Sequence, residues 1–106
     1  MIFSIYQEDF EMALQKRYKI ALETKLDQLW HQGFCIIERW ELASWFNKER
    51  ITNVVWREIL ENWQEIYDLE SNERPLEVIK CDSTTTPQTF VIIQAKRRKT
   101  MNSMAE

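Results

Sequence analysis

Apolar residues recur at helical spacing from Gln7 to His31, where Phe10, Leu14, Tyr18, Ala21, Leu22, Leu26 and Leu29 share one face and charges fill most other positions. The pattern predicts a long first helix. Lys25 intrudes on the apolar face, where its stem can pack while its ammonium reaches out. Gly33 follows as the stop, because glycine takes the left-handed conformation that ends a helix at little cost. Phe34, Cys35, Ile36 and Ile37 then make a short β-branched and aromatic run, which predicts a strand.

From Glu41 to Lys48, the residues Leu42, Ala43, Trp45 and Phe46 suit a short second helix, with the turn at residues 47–50. Residues 52–69 give the clearest pattern. On a wheel of about 100° per residue, Val55, Trp56, Ile59, Leu60, Trp63, Ile66 and Tyr67 form one arc opposite Arg57, Glu58, Glu61, Gln64, Glu65 and Asp68. Val54 violates it, falling in the middle of the polar face. Pro75 cannot continue the helix. Residues 76–81 and 89–95 read as two strands of a hairpin with a long polar tip at residues 82–88. Residues 1–95 are thus expected to form one domain, followed at residues 96–106 by a basic tail without order.

Helix, short strand, two helices in quick succession and a hairpin make an α+β order that resembles the winged helix–turn–helix class. The resemblance rests on residues 34–37 leading into Glu41, Leu42 and Ala43, then residues 51–67, then the hairpin at 76–95. The glycine usual in the helix–turn–helix turn is absent, and Asn47 is the nearest residue able to tolerate a left-handed conformation. The resemblance implies that the first strand pairs with the last. Cys35 and Cys81 would then lie about two strand spacings apart, roughly 9–10 Å, beyond the reach of a disulfide.

Composition narrows the function more than the fold. The chain has 106 residues, 44% hydrophobic and 29% charged, which suits one globular domain. No apolar run approaches the ~20 residues of a membrane-spanning helix, and the first residues lack the pattern of a signal peptide. A cytoplasmic location and two buried, reduced thiols are expected on that basis. Gly33 is the only glycine, so neither a phosphate-cradling loop nor a dinucleotide fingerprint can be written. His31 is the only histidine, expected solvated or capping at the end of the first helix, and with two separated cysteines it assembles no zinc site. Glu8 and Asp9 suit the start of a helix better than acid–base work. The sequence therefore points away from an enzyme, a cofactor or a metal.

Two functional readings remain. The resemblance implies binding to double-stranded DNA, against which stands a net charge of −3. The distribution of charge favours it more than the sum. Lys48, Arg50 and Arg57 open the third helix against Glu49 alone, whereas the stretch from Glu58 to Glu70 carries five acids and no base. A recognition helix reads the major groove chiefly with its N-terminal part. Thr52, Asn53 and Arg57 can hydrogen-bond bases or phosphates, Val54 can touch a thymine methyl, and Lys96, Arg97, Arg98 and Lys99 add four positive charges at the base of the hairpin. The other reading is a protein-interaction module, an adaptor or inhibitor. It would use the acidic strip Glu58, Glu61, Glu65 and Asp68 and an exposed Trp40 or Trp45, with Ile2, Phe3, Ile5 and Tyr6 available to pack on a second copy as a homodimer.

Overall fold

The computed structural model describes residues 16–47, 50–82 and 86–106. A turn of 3-10 helix at Lys16–Tyr18 runs into α1 (Lys19–Gln32), which buries Leu22, Leu26 and Leu29 along one stripe. The expected part of this helix at residues 7–15 lies outside the described residues. Gly33 ends α1 at a φ of 88°, its N–H donating to the Leu29 carbonyl at 2.9 Å. Lys25 crosses the apolar face as its stem allows, and its Nζ donates to the Ile36 carbonyl at 2.9 Å. That bond occupies an acceptor on the edge strand β1 (Phe34–Glu38).

The second helix, α2 (Arg39–Phe46), starts two residues before the expected Glu41. The reason is a reciprocal capping box between Glu38 and Glu41, the Glu38 N–H donating to the Glu41 carboxylate at 3.0 Å. Asn47 closes the helix in the left-handed conformation at a φ of 51°, in the place where glycine would be usual.

The third helix, α3 (Asn53–Ile66), buries Val55, Ile59 and Trp63, with Trp56 and Tyr67 half-buried beside them. The buried stripe is narrower than the apolar arc. Leu60, at its margin, and Ile66, in the last turn, stay exposed. Val54 departs from expectation in the other direction: it is half-buried and packed on the core. Ile51, just before α3, is likewise half-buried and packed on the core.

Beyond α3, Asp68 and Arg74 take positive φ values of 51° and 46° as the chain reverses towards the sheet. The strands β2 (Leu76–Lys80) and β3 (Thr89–Gln94) pair antiparallel, and β3 also pairs antiparallel with β1, giving the order β1-β3-β2. Alternation along the strands sends Cys35, Ile37, Phe90, Ile92 and Gln94 inward. The opposite face carries Phe34, Ile36, Ile79, Val91 and Ile93, half-buried or exposed. Cys35 is buried and both thiols are free, but Cys81, just past the end of β2, is exposed, correcting the expectation of two buried thiols. The Cys81 backbone N–H still donates to the Thr89 carbonyl of β3 at 3.0 Å, but its side chain lies at the open edge of the sheet.

Where a tail without order was expected, the chain makes a 3-10 turn at Ala95–Arg97 and a short helix, α4 (Met101–Ala105), whose start is capped by the Thr100 hydroxyl accepting from the Ser103 N–H at 3.1 Å. The described residues thus form an α+β fold of four α-helices and a three-stranded antiparallel sheet. Among them no helix is long and apolar enough to cross a membrane.

Candidate nucleic-acid interface

The direction of α3 across the sheet decides what can act together. Near its start, Trp56 meets Phe90 edge-on at 5.1 Å, and Phe90 stands at the hairpin-tip end of β3. Near its end, the Trp63 indole N–H donates to the Arg74 carbonyl at 3.1 Å, and Trp63 packs 5.6 Å from Trp30 at the end of α1. The helix therefore runs from the hairpin tip to the hairpin base.

At the tip end, Arg50, Thr52, Asn53 and Arg57 are all exposed on or just before the first turns of α3. Thr52 occupies the N-cap position with its hydroxyl uncommitted to the cap. Lys48 lies outside the described residues. Two cations join this end that the sequence pattern did not single out. Lys80 pairs with Phe90 across the sheet, and so shares the face and the end of the sheet on which Trp56 packs. Arg39 opens α2, and its Nε donates to the Pro87 carbonyl at 2.6 Å while its N–H donates to the Gln88 carbonyl at 2.7 Å. These bonds tie the helix start to the hairpin tip, with Thr89 donating to the Glu38 carboxylate at 2.8 Å alongside. The neighbouring Trp40 is 67% exposed, whereas Trp45 is buried. No local signal marks Arg39 and Lys80 as partners, since only the strand register and the capping box place them.

At the base end lie the other predicted cations. Lys96, Arg97, Arg98 and Lys99 are exposed at the other end of α3, a helix of 14 residues and about 20 Å, of which about 14 Å lie beyond Arg57. Arg98 is engaged in an ion pair with Glu77 at 3.1 Å. Val54 is half-buried, with part of its side chain packed on the core. Of the acidic strip, Glu61, Glu65 and Asp68 are exposed and Glu58 is half-buried, so the strip follows α3 away from the cationic end. Among the described residues no group of three His, Cys, Asp or Glu side chains could hold a metal ion.

The geometry defines an α+β domain with one polar, cationic end made by α2, α3 and a hairpin tip. No known protein family matches the chain, and no curated protein or solved structure is significantly similar to it.

Proposed function

We propose that the chain is a non-enzymatic, winged-helix-like module that binds double-stranded DNA. One observation carries the reading. The order α1-β1-α2-α3-β2-β3, with β1 paired to β3, sets the cationic start of α3 beside the hairpin tip, as a helix entering a major groove with a flanking wing requires. Arg57, Asn53 and Thr52 read base edges or phosphates, Arg50 and Lys80 hold the flanking backbone, and the acids Glu61 and Glu65 point along α3 away from it. The basic residues at positions 96–99 take no part in this contact.

Titration of a short duplex against salt tests it. Three to four phosphate contacts should give a slope of log affinity against log salt of about −3 to −4. Arg57→Glu together with Arg50→Glu should abolish binding with unchanged thermal unfolding, whereas Lys99→Glu should leave most of it. Absence of binding at low salt would end the DNA reading.

A second reading is favoured by a different surface. Phe34, Ile36, Ile79, Val91 and Ile93 form an apolar outer face on the sheet that no described element covers, and such faces commonly meet protein. The acidic strip on α3 suits the same role. The expected homodimer contact through Ile2, Phe3, Ile5 and Tyr6 falls outside the described residues.

A further inference from the structure

At the base of the hairpin, opposite the proposed DNA contact, a shallow cleft of about 250 Å³ is lined by Glu73, Arg74, Gln94, Lys96 and Arg97. We propose that this cleft is a binding site for a phosphate group. Its two guanidinium groups are held in place before any ligand arrives. Arg97 lies across Gly33, where a Cβ would come within 2.9 Å of its Cδ, and its Nη2 donates to the Trp30 carbonyl at 3.4 Å. The lone glycine of the chain therefore both ends α1 and seats this arginine. Arg74 stacks on the Trp30 ring at 4.4 Å, and its Nη1 donates to the Gln94 side-chain oxygen at 3.4 Å. Gln94 is itself only 3% exposed and anchored through its Nε2 to the Leu29 carbonyl at 2.7 Å.

Every partner of these guanidinium groups is neutral. Among the described residues no carboxylate lies within ion-pair distance of Arg74, Lys96 or Arg97. Glu73, the one acid in the lining, has its Oε1 accepting from the Glu70 N–H at 3.1 Å in the turn behind. With three cations and one carboxylate in its lining, the cleft is net positive in a chain of net charge −3. Capping the carbonyls of α1 explains Arg97 and Gln94, but Arg74 touches no helix carbonyl. Nor does a cap need Lys96. Each guanidinium has five N–H donors and commits one of them to a hydrogen bond, to Gln94 from Arg74 and to the Trp30 carbonyl from Arg97, leaving the fork geometry that suits an oxyanion. Tyr67 stacks on Trp30 at 4.1 Å and Arg74 takes the ring's other face, so no aromatic surface is left for a base. The ligand is recognised by its phosphate alone, and the volume suits a small phosphate or one phosphodiester unit rather than a drug-sized molecule.

Inorganic phosphate titrated into the full chain at low ionic strength is the test, followed by calorimetry and by the indole N–H resonance assigned to Trp30. Saturable one-to-one binding with a Kd of about 1 mM or tighter is expected. Lys96→Gln combined with Arg74→Gln should weaken it at least about tenfold, a change of roughly 1.4 kcal/mol, in a protein that still folds although Arg74 gives up its contacts with Trp30 and Gln94. Lys96→Gln alone removes no fold contact and should weaken it several-fold. The Arg50→Glu, Arg57→Glu variant should bind phosphate as the parent does, which separates this site from the DNA reading. A duplex that competes for the site in that variant would identify a phosphodiester as the source; a duplex that does not compete would identify a free phosphate or phosphomonoester. Absence of saturable binding, or equal binding by the Lys96→Gln, Arg74→Gln protein, would overturn the proposal.

Discussion

Among the described residues Gln94 is the one buried polar side chain of the core, and replacing it with leucine tests how the end of α1 is held against the sheet. Its Nε2 donates to the Leu29 carbonyl at 2.7 Å and the Trp30 carbonyl at 3.2 Å, two of the four carbonyls that a helix leaves without internal partners. Its own backbone N–H donates to the Gly33 carbonyl at 3.0 Å, a bond the substitution leaves in place. Neither helix carbonyl would be orphaned. Leu29 keeps the Gly33 N–H at 2.9 Å, and Trp30 keeps the Arg97 Nη2 at 3.4 Å.

The cost is therefore that of three lost hydrogen bonds rather than of a bare buried group: the two to helix carbonyls are each worth about 0.5–1.5 kcal/mol net, and the long one from the exposed Arg74 Nη1 at 3.4 Å is worth less. Burying leucine in place of an amide returns part of this, which leaves an expected destabilisation of about 1–2 kcal/mol. Urea unfolding followed by tryptophan fluorescence should show a lower midpoint with an unchanged m-value, and each kcal/mol should lower Tm by about 4–8 °C. A Gln94→Leu protein as stable as the parent would show that the last turn of α1 needs no side-chain donor from β3. A loss above about 4 kcal/mol would show instead that the remaining partners of Leu29 and Trp30 fail with it.

The two cysteines should separate cleanly by reactivity. Burial pushes the Cys35 thiol up to about 11, Glu41 adding to the rise and Lys25 opposing it. A thiol reagent at pH 8 should therefore label Cys81 alone in the folded protein, and equal labelling of both would refute the burial of Cys35. Because the Cys35 pKa is raised in the folded state, its contribution is fully present below about pH 9 and is lost as pH rises through 11, amounting to about 2–3 kcal/mol. Stability measured from pH 8 to 11 should fall, and Cys35→Ala should flatten that fall. Tyr67 donates to the Asp27 carboxylate, and burial together with that carboxylate holds its phenol well above the ordinary range. Phenolate absorbance should show a tyrosine that titrates late or only on unfolding, and Tyr67→Phe should remove it.

The helices and strands were legible because their buried residues follow simple periods. Leu22, Leu26 and Leu29 mark α1, Val55, Ile59 and Trp63 mark α3, and alternate residues of β3 from Phe90 to Gln94 point inward. The left-handed Asn47 was legible too, since few residues besides glycine tolerate that conformation. The early start of α2 was harder to see, because Glu38 and Glu41 cap each other without the serine or threonine that usually advertises a box. The half-burial of Val54 is not visible on a helical wheel, which treats every turn alike, whereas Val54 in the first turn of α3 and Ile51 just before it both pack on the core.

The site was legible only in its parts. Charge counted along the chain grouped Arg50 and Arg57 with Lys96 and Arg97 as a single basic surface, since nothing in the sequence states which way α3 crosses the sheet. That direction is fixed by a few long-range contacts of aromatic rings: Trp56 on Phe90 at one end, and Trp63 with Trp30 and the Arg74 carbonyl at the other. Once it is fixed, the two basic sets belong to opposite ends of α3, with about 14 Å of helix beyond Arg57, more than the screening length of about 8 Å at physiological salt. They cannot reinforce each other as one electrostatic patch. On the two proposals made above, each would then hold its own anion with its own neighbours. The set at the hairpin tip has a helix start and polar side chains suited to a groove, while the set at the base has two arginines fixed by neutral partners around a cleft. A negatively charged chain can carry two anion contacts of different kinds because its acids, from Glu61 to Asp68, lie along α3 between them.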